Sequence, residues 1–180
     1  RDRGACLDAA TSLQFPVFVK PARAGSSVGV VKVDRPEELE PAIEKARTHD
    51  PKVLVEQGIV GREVECGVLQ GRGEDLPRVS DCGEVTVVGG GHEFYDFEAK
   101  YLADQHTEID IPADIDAETE QSLRAMAVRA FEALSCEGLA RVDFFVMPDG
   151  SLVINELNTM PGFTPTSMYP QLWAASGLTY

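Results

Sequence analysis

Short segments in which apolar and polar residues alternate recur along the chain, and this alternation is typical of half-buried β-strands. Residues 15–20 and 28–33 are rich in β-branched and aromatic side chains, and a loop of Gly and Ser separates them. Residues 52–56 form a similar run, and residues 63–69 alternate after a break that contains two glycines. These four segments are therefore predicted to be β-strands.

Other segments repeat their apolar residues with the spacing of an amphipathic helix. Asp34 is the predicted N-cap of a helix that ends near Arg47. Residues 116–135 carry a clearer apolar stripe, with Asp116 as the predicted N-cap, and a short helix is predicted near residues 167–175. Strands and helices together predict an α+β fold.

The pattern weakens between residues 71 and 112, where a turn at 73–77 and a strand at 83–88 are predicted. Three glycines at 89–91 then lead into an aromatic and charged segment that continues to residue 101. A long loop that begins with glycines is often a lid over a site. We interpret residues 89–101 as such a lid.

The segment 141–158 contains two alternating stretches around Asp149 and Gly150, a dipeptide typical of two-residue hairpin loops. With this loop, the register pairs Asp143 with Glu156. The Cβ atoms of a directly opposed pair lie about 4.5–5.5 Å apart. Two carboxylates at that distance repel each other, so the pair favours a bound cation.

The same register pairs Arg141 with Asn158, on the face that carries the two carboxylates. Asp143, Glu156 and Asn158 then offer three oxygen donors to one or two hard divalent cations. An ordinary hairpin with polar residues on its solvent face is the alternative that this segment leaves open.

Two loops rich in small residues can approach a ligand closely. Residues 25–29 follow the strand that carries Lys20, and their N–H groups and hydroxyls suit a phosphate, although a plain hairpin turn fits the pattern too. Residues 158–167 are too rich in Pro and Gly to continue a strand. In this second loop, the N–H of Gly162 is expected to approach a reacting group.

Several further positions suit nucleotide contacts. Glu56 ends a predicted strand and Glu63 follows it, so these acids could contact a nucleotide base and its ribose. The pattern is equally consistent with two ordinary surface acids at strand ends. Phe145 shares a face with Asp143 and is either a wall for an adenine or a core residue. The three histidines are not spaced as metal ligands and receive no chemical role; they are His49, His92 and His106.

The composition narrows the class of protein. A formal net charge of −14 argues against nonspecific binding of nucleic acid. No apolar run approaches the roughly 18 residues of a membrane span, and no secretory signal is present at the start. The four cysteines show no C-x-x-C pairing, which favours reduced thiols in a cytoplasmic protein and gives no indication of a zinc site.

Five ordered motifs resemble those of the D-alanine–D-alanine ligases, which have the ATP-grasp fold. The motifs are FVKPARAGSSVG at 18–29, VLVE at 53–56 with GRE at 61–63, FYDFEAKY at 94–101, GLARVD at 138–143, and NELNTMPGFT at 155–164. The resemblance implies two α/β subdomains with mainly antiparallel sheets that grip ATP between them. Residues 1–62 would be part of the small central subdomain and residues 63–180 the large subdomain with lid and metal hairpin.

The resemblance implies roles for individual residues. The implied ATP contacts are Lys20, Ser26, Ser27, Glu56, Gln57, Glu63, Phe94, Lys100 and Phe145. The implied catalytic groups are Ser26, Tyr101, Arg141 and the N–H of Gly162, with Gly162 and Ser167 at the second substrate. Asp143, Glu156 and Asn158 would bind one or two Mg²⁺ ions, with Mn²⁺ as a possible substitute.

The implied reaction is ATP-dependent ligation of two D-alanines through an acyl phosphate, for peptidoglycan synthesis. Tyr101 favours the dipeptide, because ligases that accept D-lactate tend to carry a histidine in the lid; D-alanine–D-lactate or D-alanine–D-serine ligation is the alternative. A non-catalytic nucleotide-binding module is the alternative of another class. A homodimer is the family expectation.

The first residue is Arg1 rather than methionine, and the chain stops just after a predicted helix. We therefore expect a fragment of a longer ligase whose amino-terminal substrate domain lies upstream. We also expect the 180 residues alone to form no dipeptide.

Overall fold

A computed structural model of the protein describes residues 3–25, 27–88 and 106–180. Its strands form two antiparallel sheets with helices packed on them, which confirms the predicted α+β class. The described chain divides into two compact units. Among the described residues, the first unit contains those up to Ile59 and also His106, and the second comprises Val60–Val88 and Thr107–Tyr180.

The first unit contains a three-stranded sheet in the order β2-β1-β3. Its elements are α1 (Arg3–Thr11), β1 (Val17–Pro21), β2 (Val31–Val33), a short 3-10 helix (Pro36–Glu38), α2 (Leu39–Arg47) and β3 (Val53–Gln57). Alternate residues of β1 and β2 point towards α2 and form the core, which includes Val17, Val19, Val33, Leu39 and Ala46. The opposite face of this sheet carries the polar residues.

The second unit contains a five-stranded sheet in the order β6-β5-β4-β7-β8. Its elements are β4 (Arg62–Leu69), β5 (Arg78–Val88), β6 (His106–Asp110), α3 (Ala117–Ala133), β7 (Leu139–Val146), β8 (Leu152–Asn158) and α4 (Met168–Ala175). Helix α3 buries Leu123, Ala127 and Phe131 against one face of the sheet. No helix in the described ranges is long and apolar enough to cross a membrane.

Helix α4 covers part of the other face of this sheet, over β4 and β5. A Cβ atom added at Gly67 would lie 2.7 Å from Trp173 Nε1, and one added at Gly83 would lie 2.8 Å from Leu172 Cδ2. Only glycine allows the helix to approach the strands this closely. The polar residues of β7 and β8 lie on this same face, beyond the strip that α4 covers.

Several predicted elements are confirmed with corrected limits. Asp116 caps α3 as predicted, since its carboxylate accepts a hydrogen bond of 2.9 Å from the N–H of Thr119. Asp34 does not cap α2, which begins at Leu39 after the 3-10 turn; the Asp34 carboxylate lies 3.4 Å from Lys32 Nζ instead.

The sequence patterns missed α1 and β6, and they placed the start of β5 too late. The apolar residues of α1 form no clear helical stripe. Strand β5 begins at Arg78 rather than near residue 83, because polar residues interrupt its apolar pattern. One of them, Ser80, is fully buried and accepts a hydrogen bond of 2.8 Å from the N–H of Gly67.

Candidate functional site

Two rows of side chains cross β4, β7 and β8 on the face that α4 leaves uncovered. Asp143 of β7 lies opposite Glu65 of β4 and opposite Glu156 of β8. In the neighbouring row, Arg141 lies opposite Asn158. The predicted register, with Asp143 facing Glu156, is therefore confirmed.

The prediction that a two-residue turn at Asp149 and Gly150 produces this register is wrong. Met147, rather than Pro148, pairs with Ser151, and the Ser151 carbonyl accepts a hydrogen bond of 2.9 Å from the N–H of Met147. The loop therefore has three residues, and it ends with Gly150 at a φ of +82°. A three-residue loop with a left-handed last residue is a common hairpin type in which glycine is favoured.

A bulge in β8 restores the predicted pairing. Near the turn Phe144 pairs with Ile154, whereas Asp143 pairs with Glu156, so Asn155 is an additional residue on β8. Without this bulge, Asp143 would lie opposite Asn155 and the Glu156 side chain would point to the other face. The longer loop and the bulge each shift the register by one residue, and the two shifts cancel.

Among the residues that the structure describes, Arg141 is the only cation in these two rows, and it binds Asp143 through two hydrogen bonds. Its Nε donates to Oδ1 at 2.7 Å and its Nη2 donates to Oδ2 at 2.6 Å. The same Nε lies 2.8 Å from Glu65 Oε2. Burial lowers the pKa of Arg141, but the hydrogen bond to Asp143 and the charges of Asp143, Glu65 and Glu156 raise this pKa above its ordinary value overall, so the guanidinium stays charged.

The donor set suits a hard divalent cation in its chemistry and its charge. Three carboxylates, of Glu65, Asp143 and Glu156, face one guanidinium, and like charges that are directly opposed in a sheet destabilise it. Within the described residues, no three His, Cys, Asp or Glu side chains already converge on a point where a metal ion would sit. Arg141 donates one hydrogen bond to each oxygen of Asp143, which leaves each oxygen a second lone pair for a cation.

Asn158 begins the loop that leaves the sheet at this edge. Its Oδ1 accepts a hydrogen bond of 3.0 Å from the N–H of Met160, which turns the chain away from β8. A carbonyl oxygen has two lone pairs, so this bond leaves Asn158 able to act as a ligand.

The loop brings Gly162 and Ser167 together. A Cβ atom added at Gly162 would lie 2.9 Å from Ser167 Oγ. Ser167 is the N-cap residue of α4, yet its hydroxyl does not cap the helix and instead accepts a hydrogen bond of 3.1 Å from the N–H of Thr164. The two residues predicted to contact the second substrate are thus neighbours.

Glu63 and Phe145, two of the predicted ATP contacts, are directly opposed in the register of β4 and β7. They lie on the same face of the sheet as Glu65 and Asp143, one row closer to the hairpin loop. Four residues of the predicted site lie outside the described residues: Ser26, Phe94, Lys100 and Tyr101.

In the first unit, Lys20 and Glu56 share the polar face of the three-stranded sheet and form an ion pair, with 2.6 Å between Nζ and Oε2. The Gln57 side chain points to the opposite face, since Gln57 pairs with the buried Val17, and its amide donates to Gln14 at 3.2 Å. The Gln57 side chain therefore does not join Lys20 and Glu56, and only its backbone lies beside them.

The loop between β1 and β2 is anchored at its base by residues that sequence reasoning missed. Arg23 donates two hydrogen bonds of 2.8 Å to the buried carboxylate of Asp50, which also accepts one of 2.9 Å from the N–H of Lys52. These bonds hold the pKa of Asp50 well below its ordinary value. Beyond the anchor, Ser27 adopts the left-handed region with a φ of 57°. Arg23 and Asp50 lie 27 positions apart, and no pattern in the sequence indicated that they would pair.

Comparison with known proteins places this geometry in a family. Residues 2–180 match the family model described as D-ala D-ala ligase C-terminus. The chain belongs to this family. Among its relatives, the D-alanine–D-alanine ligase of Pseudarthrobacter chlorophenolicus is 63% identical over 93% of this chain, and that of Kineococcus radiotolerans is 53% identical over 99%. The aligned parts cover 44% and 48% of those two proteins, so the chain spans about half the length of the curated relatives it matches.

Solved structures of this ligase family have the same fold. The VanG D-Ala:D-Ser ligase from Enterococcus faecalis is 43% identical, with a TM-score of 0.82 over 98% of this chain and 49% of that chain. The D-alanine–D-alanine ligase from Coxiella burnetii is 34% identical, with a TM-score of 0.75 over 98% of this chain and 43% of that chain. The fold is therefore the ATP-grasp fold of these ligases, as the motifs predicted.

Proposed function

We propose that this chain forms the nucleotide-binding and metal-binding part of an enzyme that joins two D-alanines with ATP, for peptidoglycan synthesis. The observation that carries the proposal is the row in which Asp143 lies between Glu65 and Glu156, with Arg141 beside it. The names of the relatives support the same reaction, and family membership implies the use of ATP.

We further propose that residues 1–62 belong to the small subdomain and residues 63–180 to the large one. The division of the described chain between Ile59 and Val60 supports this assignment. Because the relatives are about twice as long, we assign the remaining substrate contacts to parts of the full-length protein outside these 180 residues.

Asp143, Glu156 and Asn158 would hold one or two Mg²⁺ ions, and Mn²⁺ would substitute. The ions supply positive charge that neutralises the phosphates as charge develops on them. The surplus of carboxylates over guanidinium on this face supports a cation there.

In the first step, a carboxylate oxygen of one D-alanine attacks the γ-phosphorus of ATP, which forms an acyl phosphate and releases ADP. Lys20 and Lys100 would contact the phosphates, and Ser26 and Ser27 would close over them. The remaining nucleotide contacts are Glu56 and the Gln57 backbone, with Glu63, Phe94 and Phe145. The role of Lys20 agrees with its position at the end of a β-strand, on the polar face.

In the second step, the amine of the other D-alanine attacks the acyl carbonyl carbon, and inorganic phosphate leaves. Arg141 and the N–H of Gly162 would stabilise the oxyanion, an effect worth about 3–4 kcal/mol per donor. Ser167 would bind the carboxylate of the second substrate, and Tyr101 would close the lid. The proximity of Gly162 and Ser167 supports a shared substrate.

The test is product analysis of the full-length protein with ATP, Mg²⁺ and D-alanine. We expect D-alanyl-D-alanine, ADP and phosphate in equal amounts. Failure to form any ligation product would contradict the proposal and would favour a non-catalytic nucleotide-binding module.

One observation favours a second candidate, the ligation of D-alanine to D-serine. The chain is 43% identical to a protein described as a D-Ala:D-Ser ligase. The same assay with D-serine and D-lactate in competition with D-alanine separates the candidates, because D-lactate would give an ester rather than a peptide.

We also propose that the full-length protein is cytoplasmic and forms a homodimer. Light scattering of the full-length protein measures its molar mass and therefore tests the dimer.

A further inference from the structure

Glu65 has no role in the reaction proposed above, although it lies in the same row as the predicted metal ligands. It faces Asp143 directly across β4 and β7. Its Oε2 lies 2.8 Å from Arg141 Nε, the same nitrogen that donates to Asp143 Oδ1 at 2.7 Å. One guanidinium nitrogen is therefore within ion-pair distance of two carboxylates.

Two cations would share the Asp143 carboxylate in the proposed active state. Arg141 donates one hydrogen bond to each of its oxygens, and a divalent cation between Asp143 and Glu156 would use the second lone pair of one of them. The guanidinium then gains a positive neighbour, and the oxygen that it shares with the cation holds it less strongly. Without a carboxylate that the cation does not use, Arg141 is repelled from its place on the sheet.

Burial makes the loss of a partner costly here. The side chains of Arg141, Glu65 and Asp143 are only 20%, 13% and 12% exposed. A charge that loses its partner in such surroundings is strongly unfavourable. Glu65 is already beside the guanidinium, so it can remain the partner of Arg141 with no movement of the backbone.

We propose that Glu65 is a positioning residue that holds the Arg141 guanidinium on this face of the sheet while Asp143 binds the cation. The inference rests on the proposed function, since it assumes a cation at Asp143 and a catalytic Arg141. Without the Glu65 charge, the carboxylates of these rows that remain near Arg141 among the described residues are Asp143 and Glu156, both of which the cation needs. Loss of the Glu65 charge therefore weakens cation binding and also displaces the Arg141 donor that faces the oxyanion.

The test compares Glu65→Gln with Glu84→Gln in the full-length protein. Glu84 is a matched control, because its side chain is also 13% exposed and is also paired with an arginine, Arg62. Glu84 lies opposite the buried Val64, on the face that packs against α3. Mn²⁺ affinity is measured by electron paramagnetic resonance with ADP present, and kcat and KM for ATP are measured alongside.

We expect Glu65→Gln to weaken Mn²⁺ binding about tenfold and to lower kcat about tenfold, the range for residues that orient metal ligands. The KM for ATP should change less than kcat. Glu65→Asp, which keeps the charge, should recover part of both losses. Glu84→Gln should bind Mn²⁺ and turn over like the parent.

Two results would overturn the inference. One is Mn²⁺ affinity within twofold of the parent in Glu65→Gln. The other is an equal loss in Glu65→Gln and Glu84→Gln, which would indicate a purely structural role. If the parent itself binds no Mn²⁺ and forms no dipeptide, the proposed function fails and this inference fails with it. If the parent does both and either of the two results above is found, only the inference about Glu65 fails.

Discussion

The polar faces of the two sheets differ in how their charges are balanced. On the three-stranded sheet, each lysine has its own acid: Lys20 lies 2.6 Å from Glu56, and Lys32 lies 3.4 Å from Asp34. Among the described residues, two adjacent rows of the five-stranded sheet hold three carboxylates and one cation, Arg141. The described ion pairs of the first face balance their charges, whereas these two rows of the second face carry a surplus of negative charge.

This difference indicates how each face can bind a ligand. A partly exposed ion pair such as Lys20 with Glu56 contributes little to stability, so Lys20 can exchange its partner for a phosphate at low cost. The second face needs added positive charge before an anionic ligand can approach it. The comparison predicts that cation removal affects the second face far more than the first.

The largest effect is expected from Asp143→Ala in the full-length protein. The substitution removes a proposed metal ligand and leaves the partly buried Arg141 with one partner fewer, so kcat should fall by at least about 10²–10³-fold. Asp75→Ala, in an exposed turn of the same unit, is the control and should leave kcat unchanged. Turnover of the Asp143 variant within tenfold of the parent would contradict the view that the second face depends on a bound cation.

Lys20→Ala should have the next largest effect, because it removes a charged group that we propose to contact the phosphates. Hydrogen bonds to charged groups contribute about 1.5–3 kcal/mol, so kcat/KM for ATP should fall about 10–100-fold. Lys32→Ala is the control on the same face, since Lys32 also forms an ion pair with an acid, Asp34, and is similarly exposed. Equal losses in both variants would mean that the face acts through its overall charge.

Gly67→Ala tests the part of the second face that α4 covers. The added Cβ would lie 2.7 Å from Trp173 Nε1 and 3.0 Å from Tyr169 Cε2, so α4 has to shift. Overpacking of this kind lowers the free energy of unfolding by about 1–3 kcal/mol, which urea titration measures. Gly25→Ala is the control, because no atom of the described residues, its chain neighbours aside, lies within 4 Å of its added Cβ. An unchanged unfolding midpoint for Gly67→Ala would contradict the packing of α4 on β4.

The smallest effect is expected from acid titration of the Arg23–Asp50 anchor. The folded pKa of Asp50 lies below its ordinary value of 3.8, so the ion pair stabilises the fold above that pH and loses its contribution as the pH falls below it. Asp50→Asn should therefore be less stable than the parent at pH 6, and the difference should shrink towards pH 3. Urea unfolding at the two pH values measures this, and a difference that is independent of pH would contradict it.

The residues of the candidate site could be read from the sequence because they are governed by short-range rules. Strand alternation places Arg141 and Asp143 on one face whatever the rest of the chain does. Asp116 likewise caps α3 through a bond to a residue three positions away. The ordered motifs then indicated the family and its fold.

The details of the site depended on contacts between residues far apart in the chain. The predicted pairing of Asp143 with Glu156 was correct although the predicted loop was wrong, because the bulge at Asn155 cancels the longer turn. Glu65 comes beside Arg141 only through the pairing of β4 with β7, and Arg23 meets Asp50 across the base of a loop. Local propensity fixes which face a side chain takes, whereas its partner depends on how strands and helices pack, and that packing is set by the whole chain.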